Sequence, residues 1–221
     1  AEDRQEVRDR LVAILATGLR DAMPGSDHQV AYANGLATAA TTDAADLLKG
    51  WLSGEEVPEG LSIDQGMRWR LVTALARVGR VGEDEIAAEL QRDNTISGSE
   101  QAAGARAAMP TAQAKQAAWQ RATTDDSVPN ETYRQLVMQF IQPDQTEVLS
   151  PYVDPYLELC KAIDSHEGQW AKAGHAQVQN ALMWLFPSTE VIDAAWLNKL
   201  EGWVSDNDPG STVRRVLAER A

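Results

Sequence analysis

The fold of this 221-residue chain is decided by residues 67–110, which read MRWRLVTALARVGRVGEDEIAAELQRDNTISGSEQAAGARAAMP. Apolar residues recur here every three or four positions, which is the spacing that places side chains on one face of a helix. Gly79 ends the first helical pattern. Pro110, which cannot continue a helix, ends the last one. The stretch therefore predicts three consecutive helices separated by short turns.

Serine and threonine residues indicate where helices begin. Ser62 is followed three residues later by Gln65, and Ser97 by Glu100. Each pair has the spacing of a capping box, in which both side chains bond free backbone N–H groups. Thr111 stands just before the next apolar-periodic segment. These positions predict the first residues of three helices.

The rest of the chain continues the helical pattern. No segment alternates apolar and polar residues, and no Asn-Gly or Asp-Gly pair links two β-branched runs, so strands are not expected. About ten helices of about 8–20 residues, joined by short loops, predict an all-α fold of stacked antiparallel helix pairs. We expect residues 1–221 to form a single helical domain.

Charge and cysteine content restrict the partners and the compartment. The net charge of −13 repels phosphate backbones, so nucleic-acid binding is not expected. The single cysteine, Cys160, cannot form an intrachain disulfide, which suits the reducing cytoplasm. No apolar run approaches the roughly 20 residues that span a bilayer, so no membrane partner is expected. The charged start, AEDRQEVRDR, has neither a start methionine nor a signal peptide, and we expect a fragment of a longer protein.

The spacing of histidine, cysteine and serine residues predicts no catalytic residue and no metal ligand in this chain. A zincin needs histidines at positions i and i+4 on one helical face. The pair His166-Glu167 is followed at that position by Trp170, and His175 does not share the face of His166. Cys160 lies on an apolar face and is expected to be a buried structural thiol. No nucleotide-binding loop and no nucleophile elbow occurs, so no cofactor of this chain is expected.

The best candidate for a contact with another molecule is the cluster Arg68-Trp69-Arg70. The chain has seven tryptophans but two phenylalanines. Core packing is the usual role of a helical tryptophan, although one in a groove can meet a peptide or a neighbouring domain. Two arginines beside an aromatic ring suit a peptide carboxylate. They equally suit ion pairs with this acidic chain's own helices.

Several segments keep the order and spacing of one known family. They are DQGMRWR at residues 64–70, EIAAEL at 85–90, RDNT at 92–95, AAGARAA at 102–108, FIQP at 140–143 and LSPYV at 149–153. Together they resemble the helical C-terminal domain of aminopeptidase N-type zinc peptidases, in the form found in high-GC (actinobacterial) bacteria. The resemblance covers most of residues 25–187.

The resemblance implies an all-helical bowl of degenerate, HEAT- or armadillo-like helix pairs that caps the active-site chamber of a zinc aminopeptidase. The catalytic domain, with its zinc and its His-Glu-x-x-His motif, is then expected upstream. It would be the partner of this domain, and peptides would be the substrate of the parent enzyme. No catalytic residue of the family maps onto this chain. Arg68, Trp69 and Arg70 become candidates for lining the chamber.

Two other functions remain open from the residues alone. Stacked helices equally suit an independent helical-repeat scaffold that binds partner proteins. A stand-alone all-α hydrolase would have to use His166 or His175.

Overall fold

The structure is a computed structural model that describes residues 2–220, with the side chains of residues 2, 3, 5 and 220 left out. No strand occurs in this part of the chain, which confirms the all-α fold class. The helices are α1 Glu2–Asp21, α2 Asp27–Ala39, α3 Ala45–Ser53, α4 Gln65–Arg77, α5 Glu83–Arg92, α6 Ile96–Ala108, α7 Ala112–Thr124, α8 Asn130–Met138, α9 Thr146–Leu149, α10 Val153–Asp164, α11 His175–Trp184, α12 Ala194–Asn207 and α13 Ser211–Arg220. Two 3₁₀ turns, Ser150–Tyr152 and Gly168–Ala171, flank α10. Within the described range, no helix is long and apolar enough to cross a membrane.

The chain divides into two compact units, Ala1–Ala105 and Arg106–Ala221, with the boundary inside α6. The single domain over residues 1–221 stays a prediction, and so do the helix-pair repeat and the bowl. The three helices expected between Met67 and Pro110 are confirmed as α4, α5 and α6.

Helices α1 and α2 of the first unit pack closely as an antiparallel pair. Gly18 of α1 lies against Tyr32 of α2, and Gly35 of α2 lies against Leu15 of α1. The residue numbers of these contacts rise along α1 while they fall along α2, so the two helices are antiparallel. A Cβ at Gly18 would stand 2.3 Å from the Tyr32 ring, so glycine is what permits this approach.

Helix α4 of the first unit is buried on more than one face. Its apolar stripe includes Leu71 and Leu75, which are fully buried. Burial continues around the helix to Trp69, Val72 and Ala76. A helix buried on more than one face has neighbours on several sides, and α4 packs against both α2 and α3.

Aromatic rings pack against one another within the mainly aliphatic core of the second unit. Phe140 packs edge to face on Tyr152 at 5.1 Å between ring centroids. Tyr156 packs in the same way on Phe186 at 5.4 Å. The hydroxyl of Tyr156 donates to the carbonyl of Leu182 over 2.7 Å, which ties α10 to α11. These edge-to-face contacts are among the arrangements that aromatic quadrupoles favour.

Two of the predicted helix starts are wrong, and one is confirmed. Helix α4 is capped by Asp64, whose Oδ1 accepts from the N–H of Met67 over 2.8 Å, rather than by Ser62. Helix α6 is capped by Thr95, whose Oγ1 accepts from the N–H of Gly98 over 3.0 Å, rather than by Ser97. Thr111 caps α7 as expected.

Candidate functional site

Arg68 lies on α4 and joins three helices of the first unit. Its Nε and Nη2 donate to the two carboxylate oxygens of Glu89 on α5, at 2.8 and 2.6 Å. Its Nη1 donates to the carbonyl of Leu52 on α3 at 3.0 Å. This bidentate geometry is the strongest form of an arginine–carboxylate pair. The hydrogen bond to Glu89 raises the pKa of Arg68 above its ordinary value.

Trp69 is turned into the core and is 2% exposed. Its indole N–H donates to Asp93 Oδ2 over 2.7 Å. The other oxygen of Asp93 accepts from the Thr95 hydroxyl at 2.8 Å, and Thr95 in turn caps α6. An indole has a single donor, and Asp93 uses it. This chain of hydrogen bonds fixes the turn between α5 and α6 relative to α4.

The turn after Asp93 leaves no room for a side chain at position 98. A Cβ built on Gly98 would stand 2.1 Å from the carbonyl oxygen of Asp93. That distance is far below van der Waals contact, and the atom that would have to move is backbone. Glycine is therefore required at position 98, because the backbone there passes close to the carbonyl of Asp93.

The three clustered residues have different surroundings in the structure. Arg68 forms the ion pair with the chain's own helix that the sequence had left open as an alternative. Trp69 is buried, whereas the side chain of Arg70 is exposed. Contact of this cluster with a substrate stays a prediction. The arrangement of Arg68 and Trp69 orders helices and supplies no reactive group.

The second unit contains a buried lysine, Lys115, which no sequence motif marked as a candidate. Its side chain is fully buried, and Nζ donates to the carbonyls of Ala107 at 2.7 Å and Phe140 at 2.6 Å. Ala107 is in the last turn of α6, and Phe140 follows the end of α8. Nζ also lies 5.4 Å from the centroid of the Phe140 ring. The amine thereby satisfies a carbonyl in the last turn of α6, where carbonyls lack a partner within the helix, and a carbonyl in the turn that follows α8.

Burial without a carboxylate partner changes the titration of this amine. Both hydrogen bonds of Lys115 go to uncharged carbonyls, so little offsets the cost of removing an ammonium from water. Burial lowers the pKa of Lys115 to about 7. A signal for this position was present in the sequence, because Lys115 stands in register with Ala118 and Ala122 on the buried face of α7.

The side chains that the structure describes do not fit a zinc site. Among the described residues, no group of three or more His, Cys, Asp or Glu could hold a metal ion. Cys160 is buried, and burial raises the pKa of its thiol to about 12, which opposes the thiolate that zinc requires. His166 and His175 are both exposed. The expectation of a buried thiol at Cys160 is confirmed.

The chain is similar to known proteins over nearly its whole length. The sequence model of one protein family, described as the ERAP1-like C-terminal domain, matches residues 2–221 of this chain. Aminopeptidase N of Streptomyces lividans is 37% identical to this chain over 217 residues, which is 98% of the chain and 24% of that relative. The chain is thus an all-α C-terminal domain of the aminopeptidase N type. It belongs to the ERAP1-like C-terminal domain family, and it spans about a quarter of the length of the curated relative.

Proposed function

We propose that this chain is the C-terminal helical domain of a zinc metallo-aminopeptidase that releases N-terminal amino acids from peptides in the cytoplasm. The observation that carries the proposal is the 37% identity with Aminopeptidase N, because it extends over 98% of the chain. Helical periodicity alone could not produce such a match along the whole sequence.

In this proposal the domain caps the active-site chamber, controls the access of peptides and performs no catalysis of its own. The absence of catalysis is supported by the polar groups of Arg68, Trp69 and Lys115, because each is used in internal hydrogen bonds. The zinc would be held by residues outside this chain. The domain's partner would be the catalytic domain of the same polypeptide.

Within the candidate cluster, Arg70 is the residue proposed to meet the peptide. Its side chain is exposed, whereas Arg68 and Trp69 are held by Glu89 and Asp93. An exposed guanidinium can bind a peptide carboxylate in a bidentate way. Arg68 and Trp69 would then be positioning residues that hold this turn of α4 in place.

The activity is tested by comparing this chain with the full-length protein on aminoacyl anilides in the presence of zinc. We expect turnover by the full-length protein and none by the 221-residue chain. Turnover by the isolated chain that survives stringent purification would refute a non-catalytic domain. A full-length protein that is inactive with zinc would refute the peptidase assignment.

The role of Arg70 is tested by Arg70→Glu in the full-length protein, with Arg80→Glu as a control. Both arginines have exposed side chains, and both substitutions change the charge equally. If Arg70 binds the carboxylate of a peptide, its reversal raises KM for short peptides with little change in kcat. The KM for an aminoacyl anilide, which has no carboxylate, should stay constant. Equal effects of the two variants would show that only net charge matters.

A helical scaffold that binds partner proteins is the alternative function. The apolar residues exposed on α1 favour it, because such residues mark interaction surfaces when they are contiguous. The coding region upstream separates the two proposals. A reading frame with His-Glu-x-x-His continuous with this chain eliminates the scaffold.

A further inference from the structure

Helix α1 exposes an apolar stripe formed by Val7, Leu11 and Ile14. Their side chains are 65%, 45% and 62% exposed. Positions three and four residues apart lie above one another on a helix, so the three form one continuous face about two turns long. Single exposed apolar residues are normal at protein surfaces, but a stripe in helical register is not scattered exposure.

This stripe lies beside the part of α1 that contacts α2, and α2 leaves it exposed. Helix α1 packs mainly on α2, and Leu15 lies against Gly35 there. Leu19, one turn further on, is buried. At about 100° of rotation per residue, Leu15 lies about 40° around the helix from Leu11, and about 80° and 100° from Val7 and Ile14. Helix α1 therefore has one broad apolar surface, and α2 covers only the part that carries Leu15 and Leu19.

A helix that ends a stack of helices normally has a polar outer face, because nothing else keeps it in solution. The apolar surface of α1 is wider than the part that α2 covers, which is the pattern of a helix with a further neighbour. The match covers 24% of the relative, so about three quarters of that protein lies outside the matched region.

We propose that the stripe of Val7, Leu11 and Ile14 is the docking surface for an amphipathic helix in the polypeptide that precedes residue 1 in the full-length protein. This inference rests on the proposed function in one respect, namely that the chain is the C-terminal part of a longer protein. The docked helix continues the stack with α1 and α2 as its next members.

A second copy of the chain fits the stripe less well. From Val7 to Ile14 the stripe is about 10 Å long at the rise of an α-helix. A stable interface between proteins buries about 1,200 Å² or more in total. Three side chains on one helix supply only a small part of such an area. A covalently connected helix needs no such area, since its effective concentration is already high.

The test uses thiol labelling of α1 in chains of different length. Leu11→Cys and Ile14→Cys place a thiol in the stripe, and Ala13→Cys places one on another exposed face of the same helix. The native Cys160 is fully buried and does not compete. Each variant is made in the 221-residue chain, in a chain extended upstream by one helix pair of about 45 residues, and in the full-length protein. The rate of reaction with a bulky maleimide is then measured.

We expect positions 11 and 14 to react as fast as position 13 in the 221-residue chain. In the extended chain and in the full-length protein, positions 11 and 14 should react at least about tenfold more slowly, because labelling then requires local opening. Position 13 should keep its rate in every length.

Equal rates at the three positions in the full-length protein would overturn the proposal. Protection that is absent from the extended chain but present at full length would also overturn it, since the occupant would then be a distant domain. Protection in the 221-residue chain together with a dimer in sedimentation would assign the stripe to a second copy. These readings do not depend on catalysis, so an inactive full-length protein with protected positions 11 and 14 would refute the peptidase and leave the docking surface intact.

Discussion

Lys115 should make the stability of the second unit depend on pH near neutrality. In the unfolded chain its amine titrates near the ordinary value of 10.5, whereas burial lowers the pKa in the folded chain to about 7. Between these values the unfolded chain binds more protons than the folded chain. The free energy of unfolding therefore rises as the pH rises through this window. Below about pH 7, the amine is protonated in both the folded and the unfolded chain, so the folded chain bears the full free-energy cost of burying the charge.

The size of the effect follows from the two pKa values. Between about pH 7 and about pH 8.5, proton linkage gives a gain of about 1 to 2 kcal/mol in the free energy of unfolding. The upper pH is chosen because burial raises the pKa of Cys160 and of Tyr133. Those two groups favour the unfolded chain above their ordinary values of 9.0 and 10.0, which would mask the lysine.

The assay is urea unfolding at both pH values and constant salt, followed by tryptophan fluorescence and far-ultraviolet circular dichroism. Wild type, Lys115→Met and a control, Lys172→Met, are compared. Lys172 is exposed in the same unit. The control should gain as much stability as the wild type, and Lys115→Met should gain about 1 to 2 kcal/mol less, because the comparison cancels every other titrating group.

Parallel pH dependences of the wild type and Lys115→Met would refute this reasoning. The wild type also tests it alone, should the variant fail to fold. A stability that stays level or falls between the two pH values would mean that the buried amine keeps its proton.

Three further outcomes follow from the structure. Glu89→Gln should lower the stability of the first unit by about 2 to 4 kcal/mol in urea unfolding, because a largely buried guanidinium loses its charged partner; Arg70→Ala, at an exposed arginine, should change it by less than about 0.5 kcal/mol. Gly98→Ala should destabilise by about 1 to 3 kcal/mol through its backbone clash, whereas Gly202→Ala, with open space within α12, should stabilise by about 0.5 to 1 kcal/mol. Reversed signs would contradict the packing described. Cys160 should react with a thiol reagent only once urea unfolds the chain, and rapid reaction in buffer would show that it is accessible.

Helical periodicity predicted the elements of this chain well, and local capping chemistry less well. Helices α4, α5 and α6 lie where the spacing of apolar residues placed them. The serine-based starts of α4 and α6 were wrong, because Asp64 and Thr95 stood nearby with side chains able to accept the same backbone N–H groups. Several residues close together in sequence can satisfy one cap. Which of them does so depends on how the preceding turn packs.

The surroundings of the candidate site were harder to predict, because they depend on contacts between residues distant in sequence. From the sequence, α4 was expected to have one buried stripe, and Trp69, outside that stripe, was a candidate for lining a groove. It is buried because α4 has neighbours on more than one side, and its partner Asp93 is 24 residues away. For Lys115 the periodicity did place a cation on a buried face. Its two acceptors lie 8 and 25 residues away, beyond the reach of a local pattern.

The corner formed by Asp93, Thr95 and Gly98 has a consequence for the order of folding. Its hydrogen bonds close within six residues, whereas the bonds from Arg68 and Trp69 span 21 and 24 residues. Short loops close at a lower entropic cost, so the corner can form before α4 docks on it. We therefore expect changes at Gly98 to slow refolding and changes at Trp69 mainly to accelerate unfolding. Stopped-flow chevron plots would separate the two effects. The turn between α5 and α6 would then be the nucleus on which the first unit is built.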